Sequence, residues 1–183
     1  MIGLDLRLPT LRWCLLSRRR GAYLARERGC LPIESEAELP SVVEQLLSGI
    51  ASFRSQLAIA LPDDMVIKKT VELPNGMSYA ERLEEVKRLA RSYSRDVDNM
   101  VFDIAKDSVE KKDPDRSQFV WVGVSLERVE RQMALLGSWR DRVGVVDIES
   151  LCEQRAQSVR LEESFDGEVD WRVCVGLALR RWL

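Results

Sequence analysis

The feature that most restricts the fold is an apolar run in the first half of the chain, in the segment Gln56 to Leu61. Its last five residues are all apolar, and Pro62, Asp63 and Asp64 follow directly and end the run. A strand that is apolar at every position is buried on both faces, as strands of parallel sheets are when helices cover the sheet. This segment therefore predicts an α/β protein.

Strands and helices alternate along the rest of the chain. Short apolar runs predict further strands at residues 2–6, 11–16, 22–28, 65–73, 101–105, 119–124 and 143–148. Helices are predicted to begin at Ser41, Ser78, Ser125 and about Glu149, and an apolar segment closes the chain at residues 173–183. The charged segment 106–116 and the polar segment 157–170 are predicted as loops. Strands and helices that alternate in this way are typical of α/β proteins.

Two helix starts carry the S-x-x-E pattern of a capping box: Ser41 with Glu44, and Ser78 with Glu81. The helix after Ser78 has apolar residues at steps of three and four, which predict one buried face: Tyr79, Leu83, Val86, Ala90 and Tyr93. Glu84 and Arg88 are spaced to form an i,i+4 ion pair on the opposite face.

The charges are nearly balanced. Lys and Arg number 28 against 30 Asp and Glu, which gives a net charge of −2. Such a chain has no overall positive field to attract nucleic acid, and no nucleic-acid partner is predicted. The cluster Arg18–Arg20 falls at a predicted turn between two strands. It indicates a solvated hairpin tip, with a phosphate or lipid contact as the alternative.

The absence of histidine excludes several classes of enzyme. Without His, the chain has no Ser-His-Asp or Cys-His nucleophilic site, and most catalytic zinc sites are excluded as well. The cysteines are Cys14, Cys30, Cys152 and Cys174, all among apolar residues. They indicate buried free thiols in a reducing compartment, with a disulfide framework or a zinc site as the alternative.

Neither a leader nor a membrane span is evident in the sequence. The N-terminus has no basic region followed by an apolar run, and no stretch reaches the roughly 20 apolar residues of a membrane-spanning helix. A cytoplasmic chain with no direct membrane span is predicted. Two tryptophans lie in predicted strands and are expected in the core, Trp13 and Trp121. Three others fall near later helix ends, where each is a core residue or an anchor for a partner: Trp139, Trp171 and Trp182.

Four stretches of the chain carry a family resemblance. They are Ile2-Gly3-Leu4-Asp5, Ala58-Ile59-Ala60-Leu61-Pro62 with the later Val71-Glu72-Leu73-Pro74, Val145-Val146-Asp147-Ile148-Glu149, and Gly176-Leu177-Ala178-Leu179-Arg180. In this order and spacing, with helices between them, the chain resembles the PilM family of actin-like cytoplasmic proteins of type IV pilus assembly. Related domains occur in type II secretion.

The resemblance implies a fold in two parts. Residues 1–61 plus 140–183 would form a first, actin-like subdomain with a ribonuclease H-like sheet and helices. Residues 62–139 would form the smaller α/β subdomain that PilM shares with the cell-division protein FtsA. The second, nucleotide-binding half is expected to be absent, because only 34 residues follow Glu149. Asp166-Gly167 is the only Asp-Gly pair among them, and it indicates a surface turn.

The first phosphate-binding turn of the family is degenerate in this chain. PilM-like proteins have Asp-x-Gly-x-x-Ser/Thr there, with a glycine that lets backbone N–H groups approach a phosphate. Here the turn begins at Asp5 and ends at Thr10; Arg7 replaces the glycine, and Pro9 removes an N–H donor. No nucleotide, metal or other cofactor is therefore expected, and the chain is predicted not to be an enzyme.

The function that the resemblance implies is a cytoplasmic scaffold, peripheral to an inner-membrane complex. PilM-like proteins bind the short cytoplasmic tail of a membrane partner in a groove between the two subdomains, and they contact the assembly ATPase system. In this sequence the corresponding partner-binding residues are predicted to be Arg7, Leu61, Pro62, Val66, Lys68 and Thr70.

Two other functions stay open from the residues alone. Asp5, Asp147 and Glu149 are placed to converge at strand ends, as carboxylates do when they hold magnesium. That arrangement would suit a residual actin-like ATPase or a metal-dependent phosphoryl-transfer enzyme. A self-assembling actin-like subunit is the third possibility.

Overall fold

The computed structural model describes residues 1–19, 22–50, 56–107, 115–159 and 170–180. Several sequence predictions lie outside these residues: most of the loop 106–116, the Asp166-Gly167 turn and Trp182. The chain divides into two compact units. Unit 1 is Met1–Pro62 with Gln132–Leu183, and unit 2 is Asp63–Arg131.

The described elements follow one another in chain order. The strands are β1 (Ile2–Asp5), β2 (Thr10–Arg19), β3 (Ala22–Pro32), β4 (Leu57–Leu61), β5 (Ile67–Pro74), β6 (Met100–Lys106), β7 (Arg116–Ser125) and β8 (Val143–Ile148). The α-helices are α1 (Leu39–Ile50), α2 (Tyr79–Ala90), α3 (Leu126–Ala134), α4 (Glu149–Gln157) and α5 (Arg172–Leu179). None of the helices in the described part of the chain is long and apolar enough to cross a bilayer.

Unit 1 is built on a mixed five-stranded sheet in the order β3-β2-β1-β4-β8. The three strands β1, β2 and β3 pair antiparallel, whereas β4 runs parallel to both β1 and β8. All five residues of β4 are buried, which confirms the buried parallel strand predicted at Gln56 to Leu61. Side chains of α1 pack on one face of this sheet, and α4 with α5 cover the other. The mixed α/β fold is confirmed.

Two glycines allow the backbone of α5 to contact the backbones of β1 and α4 directly. A Cβ atom at Gly3 in β1 would lie 2.1 Å from the backbone oxygen of Cys174 in α5. A Cβ atom at Gly176 in α5 would lie 2.0 Å from the backbone oxygen of Cys152 in α4. Because all residues of α5 after the first are buried, these contacts fix the layers of the core. Gly3 and Gly176 belong to two of the stretches that carry the family resemblance, so those stretches have a packing role here.

Unit 2 is an antiparallel three-stranded sheet in the order β5-β7-β6 with α2 packed on one face. The predicted capping box is confirmed, since the Ser78 side chain and the Glu81 side chain each accept a hydrogen bond from the other residue's backbone N–H. The predicted apolar face of α2 is wrong at its two ends, where Tyr79 and Tyr93 are about half exposed. The helix already ends at Ala90, which places Tyr93 beyond its last turn.

Two local predictions are wrong in their details. The helix predicted to begin at Ser41 begins at Leu39, because proline is tolerated in the first turn of a helix and Pro40 lies inside it. The Ser41 hydroxyl donates to the Glu38 carbonyl oxygen instead of capping. In α2 the ion pairs join residues three apart: Glu84 with Lys87, and Glu85 with Arg88.

The cysteines are all free. Cys14, Cys152 and Cys174 are buried as predicted, but Cys30 is exposed. It lies on β3, which is an outer strand of the sheet among the strands that the structure describes. Trp121 is a core residue, while Trp13 is only partly buried, with its ring over Gly29 of the neighbouring strand.

Candidate functional site

The site lies at the carboxyl ends of the parallel strands of unit 1. Leu4 pairs with Ile59, and Ala60 pairs with Asp147. Continuing this register by one residue brings Asp5, Ala60 and Asp147 into one row across β1, β4 and β8. Because neighbouring strands are about 4.8 Å apart, the two aspartates are separated by about 10 Å at their Cα atoms. Ligands of open α/β sheets bind at this edge of the sheet.

Asp5 is held by two arginines although it is only 1% exposed. The Arg7 Nε donates to one carboxylate oxygen at 2.8 Å and Nη2 to the other at 2.7 Å, so the pair is bidentate. The Arg7 backbone N–H adds a bond of 3.2 Å, and Arg12 Nη1 lies 3.3 Å from Oδ2. The hydrogen bond with Asp5 raises the pKa of the Arg7 guanidinium, which keeps it charged. Both oxygens of Asp5 therefore have cationic partners within the chain.

Asp147 has the same kind of surroundings. Arg155 of α4 and Arg180, which directly follows α5, approach its Oδ2 at 2.8 and 2.9 Å. Oδ1 accepts the backbone N–H of Ile148 at 2.9 Å. Arg155 also donates to the carbonyl oxygen of Gly176 at 2.9 Å, which ties α4 to α5. Asp147 thus forms buried ion pairs that join β8 to α4 and to the residue directly after α5.

Two further acidic residues complete the charge pattern. Glu149, the first residue of α4, lies 3.5 Å from Arg7 Nε. Asp170 accepts hydrogen bonds from the Arg172 side chain at 3.0 Å. That hydrogen bonding is the main reason why the pKa of Asp170 is lowered, and the charge of Arg7 lowers it further.

The arrangement neutralises the carboxylates that a magnesium ion would need. Asp5 and Glu149 meet at Arg7, while Asp147 turns toward other arginines. Magnesium requires oxygen ligands at about 2.1 Å in octahedral geometry, with charged groups free to reach it. Within the described residues, no group of three or more His, Cys, Asp and Glu side chains is placed to hold a metal ion. The described carboxylates of this site are engaged in ion pairs within the chain.

The degenerate turn is closed by its own hydrogen bonds. The Thr10 backbone N–H donates to the Arg7 carbonyl oxygen at 3.0 Å, and the Ile33 N–H donates to the Pro9 carbonyl oxygen at 2.8 Å. The Arg7 side chain folds back over the turn onto Asp5. The position where the resemblance implies a glycine is thus occupied by Arg7, whose guanidinium is already hydrogen-bonded to Asp5.

The predicted partner-binding residues fall in both units. In unit 1, Arg7 is partly exposed, Pro62 is half-buried, and Leu61 is 3% exposed at the end of β4. In unit 2, Val66 and Lys68 are half-buried and Thr70 is exposed. The role of these six residues in binding a partner stays a prediction. The side chain of Leu61 is buried and cannot contribute an exposed contact surface.

Three arginines of the site were not predicted from the sequence to contact the aspartates: Arg12, Arg155 and Arg180. Arg12 had a usable signal, because it lies opposite Asp5 in the antiparallel pairing of β1 with β2. The other two approach Asp147 through the packing of α4 and α5, which no local pattern specifies.

Comparison with known proteins adds the family context. The model of the family described as type IV pilus assembly protein PilM matches residues 27–181. Among solved structures, a PilM-PilN type IV pilus biogenesis complex is similar with a TM-score of 0.68 and 17% identity, over 85% of this chain and 49% of that chain. The cytoplasmic domain of EpsL, an inner-membrane component of the type II secretion system of Vibrio cholerae, is similar with a TM-score of 0.53 and 15% identity, over 82% and 58%. No curated protein matches. At these identities the likeness concerns the fold, and the chain spans only about half the length of the two solved chains.

Proposed function

This chain belongs to the family of the type IV pilus assembly protein PilM, and from that membership we propose that it is a scaffold on the cytoplasmic side of an inner-membrane assembly platform. It serves a type IV pilus or a type II secretion system. There it binds the short cytoplasmic tail of a membrane partner and links that partner to the assembly ATPase. The description of one similar structure as a PilM-PilN complex, and of the other as part of an inner-membrane component, supports this role.

The observation that carries the proposal is the internal neutralisation of Asp5 and Asp147. Each carboxylate has two arginine partners within the chain. Binding of a magnesium nucleotide would require at least one of these carboxylates to exchange its arginines for a metal ion, and Arg7 to leave the turn. This favours a family member that holds other proteins over one that transfers phosphoryl groups.

The subdomain assignment is part of the same proposal. Unit 1 is the actin-like, ribonuclease H-like subdomain, and unit 2 is the smaller subdomain inserted into it. The mixed five-stranded sheet between helices supports the first assignment. The antiparallel three-stranded sheet with one helix on its face supports the second.

The test is retention of membrane partners on the immobilised protein. Detergent-solubilised inner membrane from the source organism is passed over the wild type and over two double variants. One variant, Lys68→Ala with Thr70→Ala, changes the predicted partner surface. The other, Lys87→Ala with Ser92→Ala, is a matched control that changes the same kinds of side chain elsewhere in unit 2.

The expected result is that small single-pass proteins with short cytoplasmic tails, or a secretion-type ATPase, are retained by the wild type and the control. The Lys68 and Thr70 variant should retain less of them. Retention of soluble enzymes alone, or of nothing specific, would contradict the scaffold role.

A further inference from the structure

The hairpin of β2 and β3 is strongly basic in a chain that is slightly acidic overall. Its two strands contain five arginines and one acidic residue: Arg12, Arg18, Arg19, Arg26, Arg28 and Glu27. Five positive charges against one negative give a net charge of +4, while the whole chain has a net charge of −2. The hairpin is therefore a positively charged region in a chain whose net charge is slightly negative.

The basic end of this hairpin extends past the neighbouring strand. β1 pairs with β2 only between Arg12 and Leu15. Among the described strands, the residues of β2 from Leu16 to Arg19 pair only with β3. These four residues span about 13 Å at the usual rise of a strand. The arginines near the end of the hairpin are thus carried away from the middle of the sheet.

Three of the five arginines are exposed, and we call Arg18, Arg19 and Arg26 the arginine patch. Within the described part of the chain, none of the three forms an ion pair. Arg18 lies 5.5 Å from the centre of the Tyr23 ring, a contact that leaves its charge uncompensated. The other two arginines are engaged inside unit 1, Arg12 with Asp5 and Arg28 over the Trp171 ring.

We propose that the arginine patch contacts the phosphate groups of anionic lipids at the membrane surface. The inference rests on the proposed function, because a scaffold that holds a short tail of a membrane protein works close to the headgroups. Arg18 and Arg19 are consecutive residues of β2, so their side chains leave opposite faces of the hairpin, and the membrane surface would meet the end of the hairpin. Arg26 lies further back on β3, near the register shift between Leu15 and Leu16. A nucleic-acid interface that makes about 6 to 10 phosphate contacts needs more basic residues than these three arginines provide.

The strength of the contact follows from its charge. Each arginine near an anionic bilayer increases binding roughly fivefold, so the arginine patch contributes about a hundredfold. A contact of this size is reversible by itself, and stable anchoring takes a second signal. The tail of the membrane partner supplies that signal in the proposed function. The lipid contact is electrostatic, so about 1 M salt, where the screening length is about 3 Å, should abolish it.

The experiment measures binding to protein-free vesicles by co-sedimentation. Vesicles of phosphatidylcholine alone are compared with vesicles that also contain phosphatidylglycerol, at low and high salt. The test variant replaces Arg18, Arg19 and Arg26 with Gln. The control variant replaces Arg91, Arg95 and Lys106 with Gln; these are exposed residues of unit 2, and their loss changes the net charge equally.

Salt-sensitive binding to the phosphatidylglycerol vesicles, about a hundredfold weaker in the test variant and nearly unchanged in the control, supports the proposal. Equal binding to both kinds of vesicle, or an equal loss in both variants, overturns it. Tighter binding to a single-stranded oligonucleotide than to the vesicles also overturns it. The vesicles contain no protein, so this result is separate from the binding of a partner's tail, which tests the proposed function.

Discussion

Replacement of Gly176 by alanine tests whether the close contact between α4 and α5 holds unit 1 together. The added Cβ would lie 2.0 Å from the Cys152 backbone oxygen, 2.5 Å from its carbonyl carbon and 2.7 Å from its Cα. An ordinary contact begins at 3.4 Å. All three atoms belong to the backbone, so no side chain can rotate away. The helices would have to separate by about 1.4 Å or tilt, which loosens the packing between them.

The size of the effect comes from two opposing terms. Glycine in a helix interior is about 1 kcal/mol less favourable than alanine, so the substitution gains that amount. Overpacking costs about 1 to 3 kcal/mol, and contact with rigid backbone places this site at the upper end. The net expectation is a loss of about 2 kcal/mol in the free energy of unfolding, or roughly 4 to 8 °C in Tm.

Gly49 provides the matched control. It lies in α1 and is exposed, and an added Cβ would meet no atom within 4 Å. Gly49→Ala gains helix propensity without the clash, so it should stabilise the protein by up to about 1 kcal/mol. Urea unfolding followed by circular dichroism measures both variants. If Gly176→Ala is as stable as the wild type, or is stabilised like Gly49→Ala, the close packing of α4 on α5 does not have the proposed role.

Four further results are expected. Asp147→Asn should lower the free energy of unfolding by about 3 kcal/mol, because it weakens a buried pairing with two arginines; urea unfolding shows this, and an unchanged midpoint contradicts it. Ser78→Ala should cost about 1 kcal/mol through loss of the helix cap in the same assay, and no loss would mean that the cap is dispensable. The pKa of Asp170 is lowered in the folded state, so its pairing with Arg172 stabilises the protein above pH 4 and this is lost as the pH falls through the lowered pKa. Asp170→Asn should accordingly be less stable than the wild type at pH 7 and equally stable in strong acid; a difference that persists there refutes the assignment. Saturating Mg-ATP should leave Tm unchanged, since only a bound ligand shifts it, and a rise would favour the enzyme hypothesis.

Those parts of the fold that depend on local chemistry were predictable. The residues Leu57 to Leu61 are apolar throughout, and a strand buried on both faces is the only simple structure for them. The Ser78 capping box needs four residues and no tertiary contact. At Ser41 the same pattern failed, because Pro40 fits inside the first turn of a helix as well as ahead of it.

The sequence predicted the two aspartates of the site but not their arginine partners. Asp5 and Asp147 could be placed at strand ends, because strand ends follow from apolar runs. Their partners could not be placed in the same way, since Arg180 is 33 residues from Asp147 and reaches it through the packing of α5. Arg7, in place of a glycine, indicated that the phosphate-binding turn is lost. The bidentate pair of Arg7 with Asp5 could not be predicted, because it depends on the conformation of the turn.

The most direct test of the account measures binding between this chain and the cytoplasmic tail of its membrane partner. A labelled synthetic peptide with the tail sequence of the PilN-like protein from the same organism is titrated with the protein, and fluorescence anisotropy is recorded with and without Mg-ATP. The account predicts saturable binding that Mg-ATP does not change. Absence of binding, or binding that appears only with Mg-ATP, would contradict it.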